Sequence, residues 1–117
     1  VTDNAIRVQL PGGDVYAPAM LQAAAKTGAR SGLPTKTAKA LTDLIAAGVA
    51  VMNSGDASTI LLEMQVHVDT IEAKLVGTSC KSPTKKSGAD LEKLADAKAL
   101  SFKRTKTKSA LTITFEV

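Results

Sequence analysis

The chain has 117 residues, 44% of them apolar and 22% charged, with a net charge of +4 at neutral pH. This is the composition of an ordinary globular protein, and the length suits one domain, residues 1–117, with a single modest core. The only cysteine, Cys80, cannot close an internal disulfide, no apolar run approaches the ~18 residues that span a bilayer, and VTDNAIR lacks the features of a signal peptide. These features argue against a disulfide-stapled scaffold, a membrane protein and an exported one, so a cytoplasmic location is expected. The aromatic residues are Tyr16, Phe102 and Phe115, so the core must be built from Ala, Val, Leu, Ile and Met.

In chain order, AIRVQLPGG alternates Ile6, Val8 and Leu10 with Arg7 and Gln9 before Pro11-Gly12-Gly13 stops it, which predicts a first strand. Pro18 suits the first turn of a helix, where its missing N–H costs nothing. Met20, Leu21, Ala24 and Gly28 follow at helical spacing until Gly32-Leu33-Pro34. A second helix follows, with Thr35 or Thr37 as N-cap and Gly55 as a left-handed stop, and its apolar residues fall at Leu41, Leu44, Ile45, Val49 and Met52. Gly48, in its middle, is expected to admit a close neighbour, for which the Ala-rich face of the first helix is the candidate. From Thr59 to Val68 the alternation has a clean period of two, and after Asp69-Thr70 a further strand, TIEAKLV, is expected. KSPTKKSG, residues 81–88, reads as a loop, and ADLEKLADAKAL as a short helix with Leu91, Leu94, Ala95 and Lys98 on one face. SFKRTKTKS is a basic alternating run, and ALTITFEV is a final strand with Leu111, Ile113, Phe115 and Val117 on one side.

The expected order is strand, helix, helix, strand, strand, helix, strand. Each strand has one apolar and one polar face, which is the pattern of a largely antiparallel sheet covered by helices on one side only. The fold class expected is α+β, a two-layer α/β sandwich.

The positive charge is local. Residues 1–80 carry six basic and seven acidic side chains, whereas residues 81–108 carry nine basic and three acidic. Lys81, Lys85, Lys86, Lys103, Arg104, Lys106 and Lys108 are therefore the candidate surface for an acidic partner or an anion, against the plainer reading of a solvated face. His67 shares the polar side of its strand with Glu63, Gln65 and Asp69, an arrangement that suggests a metal site or general base. With no second histidine or free cysteine nearby to complete a zinc set, a solvated sheet face is the expectation, and no metal or cofactor is assigned. Cys80, Ser79 and Ser82 lack the neighbours of a nucleophile, and no phosphate-cradling glycine motif is present.

Several stretches together resemble the anti-sigma regulatory kinases, within the gyrase, heat-shock chaperone and histidine-kinase ATPase superfamily. IRVQLPGGDVYAPAMLQAAAKTGARSGLP is similar to the family's first strand and helix, LTDLIAAGVAVMNSG to its signature helix, IEAKLVGTSC to the strand before its nucleotide-binding turn, and KSALTITFEV to its closing strand. The resemblance implies a histidine-kinase-like ATPase fold. It also implies a Glu base on the signature helix and, four residues on, an Asn holding the magnesium of ATP. Pinned by Ser54-Gly55, those positions are Ala46 and Ala50; in other registers Asn53 would need an acid at Val49, and Asp43 an Asn at Ala47. The adenine-reading Asp is missing from LVGTSCKSP, which has Gly77 and Thr78, and no Gly-Thr-Gly-like turn precedes ALTITFEV. The resemblance thus implies a degenerate member that keeps the fold without the ATP site: a non-catalytic, protein-binding regulatory domain. A sigma factor or its antagonist is the implied partner and a homodimer the implied assembly. The alternatives are nucleic-acid binding through residues 81–108, for which only Phe102 could add stacking, and a structural subunit that uses the polar sheet face.

Overall fold

A computed structural model describes residues 5–68, 70–81 and 83–117. The elements are β1 (Ala5–Pro11), α1 (Ala17–Arg30), α2 (Thr35–Ser54), β2 (Thr59–Val66), β3 (Ile71–Thr78), α3 (Lys85–Lys98), β4 (Ser101–Lys106) and β5 (Ala110–Glu116). The five strands form one sheet in the order β1-β2-β3-β5-β4, antiparallel throughout.

Register decides which side chains meet the helices. Leu62 pairs with Leu75, and Leu75 with Ile113, so these apolar residues form one row across the sheet, and Met64, Ala73 and Phe115 form the next. All six are fully buried. Alternation sends Arg7, Glu63, Lys74, Thr114 and Lys103, themselves a paired row, to the opposite face. The helices cover the apolar face. α2 contributes Leu41, Leu44, Ile45, Gly48, Val49, Val51 and Met52; α1 adds Met20 and Ala24, and α3 adds Leu91 and Ala95. Burying a leucine-sized side chain stabilises by about 1.5–3 kcal/mol, so this layer carries most of the folding free energy. Thr27, a buried polar residue on α1, is satisfied by donating its hydroxyl to Ala23 O at 2.9 Å.

Several local expectations change. SFKRTK is a fifth strand, β4, at the edge of the sheet, where Phe102 pairs with Phe115. Its remaining side chains are exposed on both faces, so it shows no apolar side. The third helix starts at Lys85, not at Ala89, because Thr84 caps it: its Oγ1 accepts from Ser87 N at 3.3 Å. β2 ends at Val66 rather than Val68. Pro34 is the N-cap of α2 with no side-chain bond, leaving Thr35 as the first helical residue.

The glycine expectations also shift. Gly55 has φ −96°, and the left-handed residue is its neighbour Asp56 at φ 55°. A glycine is needed at 55 because the chain passes close by: an added Cβ would collide with Lys81 O and lie 2.7 Å from Cys80 Sγ. Gly48 does admit a close neighbour, but that neighbour is the sheet and not α1: a Cβ there would lie 2.5 Å from Leu75 Cδ1.

Cys80 lies buried beside Gly55, its thiol placed to donate to Lys81 O at 3.4 Å and Met52 O at 3.6 Å. Burial pushes the thiol pKa above its ordinary value, reinforced by Asp56 and opposed by the positive charge of Lys106.

Two outcomes are expected. Gly55→Ala should lower the urea-unfolding free energy by about 3 kcal/mol, because a backbone carbonyl blocks the methyl group. Gly48→Ala should lower it by only about 1 kcal/mol, since the tip of Leu75 can rotate and helix propensity returns part of the loss. Equal losses would show that the two glycines are not held by different obstacles. For Cys80, the folded state keeps the proton that the unfolded thiol releases above pH about 8.5. Stability should therefore be unaffected by this group below that pH and fall above it, a slope that Cys80→Ala should remove in unfolding curves between neutral and alkaline pH.

Candidate functional site

α2 presents a second stripe, away from the sheet, on which Asp43, Ala46, Ala47, Ala50 and Ser54 recur at helical spacing. α3 is bonded to both ends of it. Lys98 Nζ donates to Asp43 Oδ2 at 2.9 Å, and Thr84 N donates to Ser54 Oγ at 3.2 Å. Because residue 98 meets 43 and residue 84 meets 54, α3 runs antiparallel to α2. Between these ties the stripe holds only alanine methyl groups; Ala46 and Ala47 are half-buried and Ala50 is exposed. Positions 46 and 50 therefore offer neither a base nor a magnesium ligand.

Asn53, the nearest amide on α2, is engaged elsewhere. Its Oδ1 accepts from Gly13 N at 2.9 Å, and its Nδ2 donates to Asp14 Oδ1 at 3.3 Å, pinning the β1–α1 loop to the end of α2. Two grooves open on the surface, the second beside the Asp43 end of this stripe. One, of about 750 Å³, is bordered by Ile6, Ala23, Lys26, Arg30 and Val66. The other, of about 460 Å³, is bordered by Lys36, Lys39, Ala40, Ala97, Lys98 and Leu100. Neither is lined by Ala46 or Ala50.

The fold draws most of the candidate cations to one end. Lys81 N donates to Gly55 O at 2.7 Å, and Ser79 N donates to Ser109 O, which brings the β3–α3 connection beside the β4–β5 turn carrying Lys108. Lys85 and Lys86 open α3. Arg104 lies over Gly88, whose added Cβ would meet Arg104 Nη1 at 2.9 Å, and pairs with Glu92 on α3 at 3.7 Å. Lys106 Nζ donates to Thr107 O. Lys103 is the exception: it pairs with Thr114 and stands on the open face of the sheet. All seven cations are exposed. α3 has no acidic residue in its first turn, so Lys85 and Lys86 place positive charge at the positive end of its dipole, an unfavourable arrangement that an acidic partner would relieve.

On the open face, the set around His67 differs from the sequence pattern. Glu63 is engaged by Arg7 Nε at 2.9 Å, and Asp69 lies outside the described residues. His67 instead lies near Glu72 and Glu116, brought over by strand pairing from β3 and β5. No helix among the described residues is long and apolar enough to cross a membrane.

No protein-family model matches the sequence, and no curated protein matches it at a significant level. Among solved structures, the fold is similar to the crystal structure of the RsbU and RsbW domains of Rv1364c from Mycobacterium tuberculosis, with a TM-score of 0.78 over 96% of this chain and 11% sequence identity. The chain spans about a third of that protein's length, 31%. At this identity the likeness is one of fold, and the α+β sandwich expected from strand alternation is the fold that the structure shows.

Proposed function

We propose that this chain is a non-catalytic regulatory domain that works by binding another protein on an ATPase-like scaffold. The observation that carries this reading is the outer stripe of α2: alanines stand where the resemblance calls for a base and a magnesium ligand, and α3 is tied along the same stripe. Asn53, the remaining amide on that helix, is spent on the β1–α1 loop. Support for a protein partner comes from the fold likeness to a protein with RsbU and RsbW domains and from the resemblance to anti-sigma regulatory kinases, which points to a sigma factor or its antagonist. The basic end formed by Lys81, Lys85, Lys86, Arg104, Lys106 and Lys108 suits an acidic surface, where charge complementarity raises association rate and selectivity. A second copy of the chain is the other partner that the resemblance implies.

The basic end also gives the nucleic-acid reading its one specific observation, since strand pairing gathers six cations that sequence alone leaves in a row. Against it, Phe102, the aromatic ring within residues 81–108, is half-buried against the core and is not available for stacking on bases.

Isothermal titration with magnesium-ATP should give no heat of binding at micromolar protein, and a phosphate-release assay should stay at background; saturable micromolar binding would refute the non-catalytic reading. A gel-shift series with single- and double-stranded DNA should show at most weak retardation at low salt and none at about 0.15 M. Retardation that persists at the higher salt would assign the basic end to nucleic acid instead.

A further inference from the structure

The open face of the sheet carries one constellation that neither the packing nor the proposed function uses. β3 and β5 are paired so that Glu72 stands directly across from Glu116. Like charges facing each other across a strand pair destabilise a sheet. The next row of the same face shows the usual remedy, with Glu63 neutralised by Arg7 on the neighbouring strand at 2.9 Å. Among the described residues neither Glu72 nor Glu116 has such a cation, the remaining ion pairs being Lys98 with Asp43 and Arg104 with Glu92. What faces the carboxylate pair is the chain's sole histidine. β2 ends at Val66, and His67 begins the turn by donating its backbone N–H to Thr70 O at 2.8 Å. One ring nitrogen of His67 and one carboxylate oxygen each of Glu72 and Glu116 lie within 4.8 Å of one another. Thr70 Oγ1 donates to Glu116 Oε2 at 3.0 Å and fixes the direction of that carboxylate, as outer-shell groups do for metal ligands.

We propose that His67, Glu72 and Glu116 form a surface site for a transition-metal dication of the zinc class. An imidazole nitrogen and two carboxylate oxygens make three protein ligands, with water completing the shell. Zinc takes such ligands at about 2.0–2.2 Å. The three side chains are exposed or half-buried and rotate inward by the small distance required. The nitrogen ligand disfavours calcium and magnesium, which take oxygen alone, and the absence of sulfur disfavours copper(I). Cys80, the other strong zinc ligand in the chain, is buried and does not compete. A dication here converts the repulsion between Glu72 and Glu116 into a bridge from β3 to β5 and ties the β2–β3 turn to the same point.

Because His67 is the only histidine, its ring resonances report on the site without assignment ambiguity. Titrating the intact chain with zinc chloride, followed by calorimetry and by NMR of the His67 ring, should give one zinc per chain with the ring signals shifting in step. His67→Ala and Glu116→Gln should each weaken binding at least tenfold. Glu72→Gln separates site from scaffold: without metal it should raise the urea midpoint by removing the repulsion, and with zinc it should show none of the further increase seen in the parent. Zinc affinity unchanged in His67→Ala, or no ring shift up to millimolar zinc, would overturn the site, and equal binding of calcium or magnesium would overturn the class of ion.

Discussion

Leu75, in the middle of β3, reaches into the notch that α2 leaves at Gly48, and this fit sets how closely the helix layer lies on the sheet. The chain has three aromatic residues, and Phe115 is the only one fully buried. Few large rings hold the layers apart, so the interior reaches native density by close approach of aliphatic side chains and backbone. The same constraint recurs where the layers join. Gly28 on α1 faces Ala38 on α2, with room for a Cβ only at 3.0 Å from the alanine methyl, and Gly55 lets the β3–α3 connection pass against the end of α2. Small residues at these points are requirements of a thin core.

A helix drawn this close to the sheet turns its other side outward, toward α3. Asp43 and Ser54 hold the two ends of α3, and the alanines between them hold nothing polar. The side chains with chemical potential are displaced to the periphery: cations to the end where α3 begins, and His67 with Glu72 and Glu116 to the sheet face that the helices leave uncovered. Apart from Cys80 and Thr27, the buried side chains among the described residues are apolar, and backbone pairing orders the charged groups outside them.

The strands with a buried face were legible because alternation is a direct image of burial: Ile60, Leu62 and Met64 in β2, and Leu111, Ile113 and Phe115 in β5, are all core residues. β4 was not counted as a strand because it lacks such an image. Only Phe102 touches the core, and Lys103, Arg104, Thr105 and Lys106 are exposed whichever face they occupy. The start of α3 was hidden for another reason. KKSG has the composition of a loop, and Gly88 is tolerated in the helix because Arg104 lies over it, a tertiary fact with no local signature. The set around His67 was half legible: the histidine was seen, but its partners come from residues five and forty-nine positions further on in the chain, and only the register of β3 against β5 brings them together.

β4 leaves one side of its backbone unpaired, a template on which a further strand could grow. A second copy approaching in the same way would set its own Lys103, Arg104 and Lys106 against these, and no acidic side chain on either strand would offset the repulsion. The residues that give the chain its excess charge therefore also oppose extension of the sheet at this edge. That resistance is electrostatic, so it weakens as salt shortens the range of the charges.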